Sequence, residues 1–139
     1  MAETNDAVLL PLGAFGREAL ATALVLARRP YELTPTSALV RLVGTPPARL
    51  RRVLAALGRA GLTEAASGRG GGHRLRRSPE DVSMLEVIEA AGGDLRAADC
   101  LLGGDECDGT CSVHPAWSAA QEALRGTLAG TPLARVATG

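Results

Sequence analysis

All three cysteines of this 139-residue chain lie in one stretch, CLLGGDECDGTCSVHPAW, which runs from Cys100 to Trp117. Six residues separate Cys100 from Cys107, three separate Cys107 from Cys111, and His114 follows after two more. Three thiolates and one imidazole suit tetrahedral zinc, or an iron–sulfur cluster with one non-cysteine ligand. Gly103, Gly104 and Gly109 make the stretch supple enough to wrap such a group. Asp99, Asp105, Glu106 and Asp108 surround it with negative charge that favours a metal-bound state. Three cysteines in a polar, glycine-rich loop cannot all be core residues, and an odd number does not close a disulfide framework. His114-Pro115 also suits a helix start. No histidine or acid accompanies a nucleophile in a catalytic pattern, so an enzyme is not expected.

The elements that must position this loop are helical by composition. Apolar residues make up 46% of the chain and aromatics only 2%, so the core must be built from Leu, Val and Ala. The length suits one small domain with an added oligomerisation element. The start, MAETNDAVLLPLG, has no basic n-region, and the apolar run Ala19 to Ala27 is too short to span a bilayer. A cytoplasmic protein is expected, where thiols stay reduced and clustered cysteines bind metal or do redox chemistry.

Charge is segregated although it sums to zero. Residues 41–77 hold nine arginines against Glu64 alone, a net of +8, while residues 78–139 hold three arginines against ten acids. A basic middle beside an acidic module is the footprint of a polyanion-binding face.

Periodicity predicts a helix over 13–29, closed by Pro30. Thr34-Pro35 and Thr45-Pro46 are both read as helix starts with a hydroxyl cap, and Gly44 and Gly61 as stops. The second of these helices has Leu50, Val53, Leu54 and Leu57 on one face and Arg49, Arg51, Arg52 and Arg59 on the other, which makes a helix-turn-helix. Leu62 to Ala66 and His73 to Arg77 are expected to pair as strands around SGRGGG (67–72), a hairpin with a cationic tip that reads as a wing. A nucleotide-binding reading of these glycines fails, because no strand-then-helix context surrounds them. Ser83 and Glu86 form a capping box, with Val82 and Val87 at the staple positions. Val113, Trp117, Ala120, Leu124 and Leu128 then repeat at helical spacing, which is read as a dimerisation helix. The predicted architecture is mainly α: a winged helix-turn-helix domain over 8–80, a connecting helix and cysteine loop over 81–112, a dimerisation helix over 113–130 and a tail over 131–139.

In this order the parts resemble the winged-helix transcription regulators typified by the iron–sulfur cluster regulator IscR and the nitric-oxide-sensitive repressor NsrR. GREALATALVLA (16–27) looks like that family's first helix, and LRRVLAALGRAGLTEAASGRGGGHRL (50–75) like its recognition helix and wing. Cys-x-x-His-x-x-Trp closes the loop as in IscR-type chains, and TPLARV (131–136) is similar to the region ending the dimer helix. The cysteine gaps differ from the family's usual five and five, and His73 stands where the family carries Tyr.

The resemblance implies a homodimer on a pseudo-palindromic double-stranded DNA operator. It implies that Cys100, Cys107 and Cys111 hold an iron–sulfur cluster, 2Fe–2S rather than 4Fe–4S, with His114 as the fourth ligand. In some relatives an acid from the partner's first helix serves instead; Arg17 occupies that position here and Glu18 is its neighbour. Thr45, Arg49, Arg51 and Arg52 are expected in the major groove, Arg69 at the wing tip, and Arg74 and Arg76 on phosphates. The resulting expectation is a repressor-type regulator sensing redox state, nitric oxide or iron–sulfur status. The alternatives are a structural zinc site, a metal-free thiol switch, and an iron–sulfur carrier without DNA affinity, for which a basic middle has no use.

Overall fold

The computed structural model describes residues 12–92 and 110–137. Among these residues, six helices and one hairpin follow in the order α1 (Ala14–Ala27), α2 (Thr36–Val43), α3 (Pro47–Arg59), β1 (Thr63–Ala66), β2 (Gly72–Leu75), α4 (Met84–Ala90), α5 (His114–Ala129) and α6 (Leu133–Val136). This is the predicted winged helix-turn-helix: mainly helical, with a two-stranded antiparallel sheet in the register Thr63 opposite Leu75 through Ala66 opposite Gly72.

The core is aliphatic, as the scarcity of aromatics requires. Leu26 from α1, Leu39 from α2, and Leu50, Val53 and Leu57 from α3 are fully buried, with Val82, Val87 and Ile88 around α4. Stripping any one of these of its methyl groups would leave a cavity costing about 2–5 kcal/mol for a leucine.

The turns explain how α2 and α3 come to lie against each other. Gly44 ends α2 in the left-handed conformation at φ 74°, donating its N–H to the Val40 carbonyl. After α3, Gly61 adopts φ 75° and Leu62 N–H reaches the Leu57 carbonyl at 3.0 Å, a six-to-one bond that closes the helix. Leu62 and Leu57 are both buried, the apolar contact that accompanies this closure.

Both threonine caps are corrected. The N-cap positions of α2 and α3 are Pro35 and Pro46, and neither helix has a side-chain cap. The threonines one residue earlier are used elsewhere. Thr34 exchanges two 2.8 Å backbone hydrogen bonds with His73, laying a one-residue third strand against β2. Thr45 is buried under the start of α3. The wing strand is also shorter than expected, ending at Leu75, with Arg76 and Arg77 beyond it.

The capping box forms as predicted: Glu86 N–H donates to Ser83 Oγ at 3.1 Å, and Ser83 N–H to Glu86 Oε2 at 2.9 Å. The expected tail is instead part of the fold through Ala137. Thr131 accepts from Met84 N–H, Leu133 N–H donates to the Val82 carbonyl, and the Leu133 side chain is fully buried. Segments that satisfy their backbone in this way, with an apolar side chain in the core, do not fray. Helix α5, by contrast, buries no residue: Val113, Trp117, Leu124 and Leu128 are half-buried, Ala120 is exposed, and the helix packs mainly on α4. Among the described residues, no helix is long and apolar enough to cross a membrane.

Candidate nucleic-acid interface and cysteine segment

Helix α3 turns Leu50, Val53, Leu54 and Leu57 inward, which leaves Arg49, Arg51, Arg52 and Arg59 on the outside. The hairpin stands beside it, and Arg69 projects at its exposed tip. Tight backbone contacts build that tip. A Cβ on Gly71 would lie 2.3 Å from the Ala66 carbonyl oxygen, and one on Gly72 would lie 2.4 Å from that of Thr34. Only glycine lets the strand approach Thr34 closely enough to form the third pairing.

The cations expected to bind DNA fall into distinct environments. Arg49 is held by Glu18 of α1, with Nε 3.1 Å from Oε2 and Nη2 on Oε1. Burial pushes the Glu18 carboxyl up, but hydrogen bonds from Thr45 and Arg49 and the charges of Arg49 and Arg17 outweigh it and hold the group below its ordinary value. Thr45 therefore acts from beneath α3, on Glu18, rather than from an exposed edge. Arg52 lies over the Phe15 ring, 5.9 Å from its centroid, a cation–π contact tying α3 to α1. Arg74 pairs across the hairpin with Glu64 at 2.7 Å, and Arg77 pairs with Glu86 at 2.7 Å. Among the described residues, Arg41, Arg51, Arg59, Arg69 and Arg76 have no acidic partner. The outer face of α3 and the wing thus remains cationic after internal pairing.

Sequence reasoning missed two participants. Phe15, lying under Arg52, carries no sequence signal beyond its place in the α1 stripe. In the sequence His73 reads as the start of a wing strand and as a departure from the family, with nothing to mark its ring. It lies in an open groove of about 340 Å³ between α3 and the hairpin, together with Thr36, Arg51, Thr63 and Glu64.

Of the cysteine segment, Cys111 and His114 belong to the described residues; Cys100 and Cys107 lie outside them. Cys111 is half-buried and its thiol is in no disulfide. Its carbonyl accepts from His114 N–H at 3.2 Å, so a soft thiol and an imidazole stand at the two ends of one hydrogen-bonded turn that opens α5. This donor set fits zinc or an iron–sulfur cluster. Among the described residues no group of three metal-binding side chains converges. Glu18, the acid beside the position at which some relatives supply a cluster ligand, is committed to Arg49 and Thr45.

A family model described as Rrf2, iron-dependent transcriptional regulator, matches residues 12–139. Among curated proteins the chain is similar to the HTH-type transcriptional regulator NsrR of Bacillus subtilis (strain 168). The two are 32% identical over 89 residues, covering 64% of this chain and 59% of that protein. It is also similar to the NsrR of Shouchella clausii (strain KSM-K16), 34% identical over 67 residues, covering 48% and 43%. The chain spans about half the length of these curated relatives. Among solved structures it is similar to CymR (YrzC), the global cysteine regulator of B. subtilis, with a TM-score of 0.80 at 22% identity over 93% of this chain and 97% of that one. It is similar as well to T. potens IscR, with a TM-score of 0.72 at 20% identity over 91% and 85%. The structural likenesses establish a common fold.

Proposed function

Because the chain belongs to the Rrf2 family of transcriptional regulators, we propose that it is a homodimeric, sequence-specific DNA-binding regulator whose Cys100–His114 segment carries an iron–sulfur sensor. The observation that carries the DNA reading is the cationic face left after internal pairing, with Arg51 on α3 and Arg69 at the wing tip. Arg51 is suited to guanine O6 and N7 in the major groove, and Arg69 to the minor groove or its phosphates. Arg76 reaches phosphates; Arg49 and Arg52 contribute from orientations fixed by Glu18 and Phe15. Arg74, paired with Glu64, stiffens the hairpin that presents Arg69.

Pairing through α5 is supported by its failure to bury any residue within one chain. An amphipathic helix holding Trp117, Leu124 and Leu128 half-exposed gains stability when a second copy covers them. Two recognition helices related by a twofold axis then address half-sites about one helical turn, or a multiple of it, apart.

Cys100, Cys107, Cys111 and His114 are the residues that would hold a 2Fe–2S cluster. The iron-dependent description of the family and the likeness to proteins named NsrR and IscR support this. The cluster supplies a group that reacts with oxidants and nitric oxide. Engagement of Glu18 by Arg49 favours His114 over an acid of α1 as the fourth ligand. A metal-free thiol switch is the second reading, favoured by the likeness to a cysteine regulator, CymR, which has also been solved in an oxidised form in Staphylococcus aureus. A structural zinc site is the third.

Purification without oxygen, followed by visible spectroscopy and assays for iron, sulfide and zinc, separates the three. A coloured protein with iron matched by sulfide, bleached in Cys107→Ala and Cys111→Ala, supports the cluster. Colourless protein with stoichiometric zinc would replace the sensor with a structural clasp. Metal-free protein that cannot be reconstituted would leave the thiols alone as the switch.

A further inference from the structure

His73 sits where α2, α3 and the wing meet. Its backbone N–H and C=O are both bonded to Thr34 ahead of α2, and on the other side it stands opposite Ala65 of the hairpin. Its Nε2 lies 3.3 Å from Thr36 Oγ1. Its ring lines the groove between α3 and the hairpin, whose other walls carry Arg51 and Glu64. Among the described residues, no other titratable or charged side chain lines this groove. Arg74, adjacent on β2, pairs with Glu64 at 2.7 Å, which leaves Arg51 as the charged wall residue without an acidic partner among the described residues. Beside the apolar lining of Leu54 and Ala55, the groove thus offers an arginine, a histidine and the Thr36 hydroxyl as partners for an oxyanion, with the Glu64 carboxylate already paired.

We propose that this groove seats one phosphate of bound DNA and that His73 takes up a proton as the phosphate enters. The inference rests on the reading that α3 and the hairpin face DNA. The contact with Thr36 does not resist protonation: the hydroxyl donates to a bare Nε2 or, rotated, accepts from Nε2–H. Burial holds His73 below its ordinary value in the free protein, and a charged ring would in addition face Arg51 across the groove. An adjacent phosphate acts in the opposite sense, favouring the imidazolium, and the added cation strengthens the contact in turn.

The sign of the linkage follows. The bound form has the higher His73 pKa, so the gain in affinity is complete below the free-state value and is lost as pH rises through the bound-state value. A difference of about one unit between the two states makes the complex roughly tenfold tighter at the acidic limit than at the basic one.

The test uses the full chain and a labelled duplex recovered by it from a random-sequence pool. Dissociation constants are measured by anisotropy at constant ionic strength from pH 5.5 to 8.5. Calorimetry in two buffers of different ionisation enthalpy counts the protons taken up near pH 6.5. The expected result is tightening on acidification, with up to one proton taken up per chain, flattened in His73→Gln. Neutralising single phosphates as methylphosphonates should remove the pH dependence at one position per half-site. A wild-type protein that binds with a flat profile and no proton uptake overturns the proposal and leaves the DNA face intact. A pH dependence that survives in His73→Gln, or that no methylphosphonate removes, overturns it as well. Failure of the wild type to recover any duplex overturns the DNA-face reading itself. Should His73→Gln not fold, the wild-type protein's two imidazole resonances give the answer: addition of duplex must move one of them to a higher pKa, and two unmoved titrations refute the proton uptake.

Discussion

Glu18 on α1 holds Arg49 on α3 through both carboxylate oxygens, with Thr45 beneath them. The acid is mostly covered, while Arg49 is about half exposed. The first turn of α3 is thus fixed to the helix behind it by a pair that also cancels one of its charges. Glu18→Gln removes the cancellation and keeps most of the shape. The expected outcome is a log–log salt dependence of DNA affinity steeper by about one, tighter binding to random duplex, and a loss of about 1 kcal/mol in folding stability. Titration of affinity against salt decides it: an unaltered slope would show that Arg49 adds no charge to the DNA contact.

Acidification should weaken the free protein in two stages. His73 has a folded-state value lowered by burial, so its contribution to stability is complete above 6.5 and is lost as pH falls through the folded value. Glu18 and Glu86 are both held below 4.5; burial raises each, but arginine partners and hydrogen bonds, including those of the capping box for Glu86, outweigh it. Their stabilisation is present above 4.5 and is lost as pH falls through the lower folded values. Melting temperatures across this range should show both steps, with the first missing in His73→Gln. A single step below 4.5 in the wild type would mean that His73 does not sense folding.

Arg69 stands at the exposed tip of the wing without an acidic partner among the described residues. Arg69→Ala should lower affinity for a selected duplex several-fold at moderate salt and reduce the salt slope by about one. It should leave the melting temperature where it was, because no core contact is lost. Equal affinity and slope would remove the tip from the interface.

Leu133 is fully buried although it comes seven residues from the end of the sequence. Leu133→Ala should cost about 3 kcal/mol of unfolding free energy, a core-sized effect. Truncation before Thr131 should be worse, since it also strips the bonds to Val82 and Met84. Chemical denaturation measures both; a loss within a few tenths of a kcal/mol would return the segment to the status of a tail.

The fold was largely legible because its local signals agree. The stripe of α1, the glycine stops at Gly44 and Gly61, the Ser83–Glu86 box and the glycine triplet each specify one backbone solution. The threonine caps were misread because a proline directly after a threonine suits several helix starts. Which residue becomes the cap was decided by tertiary bonds, from Thr34 to His73 and from Thr45 to Glu18. The last segment was misread because the seven residues after Thr131-Pro132 carry too short a pattern to show an inward leucine. At the candidate site, the count of arginines predicted a cationic face. It did not predict which of them are pinned, since Glu18, Phe15 and Glu64 reach Arg49, Arg52 and Arg74 only through the folded geometry. The half of the cysteine segment holding Cys100 and Cys107 falls outside the described residues, and its ligand role rests on residue chemistry and family likeness.

Helix α4 is seven residues long, yet it touches α1, α3 and α5. Its first turn is clamped by the capping box, and an Arg125–Glu89 pair at 3.0 Å ties its far end to α5. Among the described residues, the main packing path from α5 to α3 therefore runs across two turns of helix. In mechanical terms α4 is a short spacer: two turns of helix, clamped by the capping box at one end and by the Arg125–Glu89 pair at the other, are all that separates the packing of α5 from that of α3.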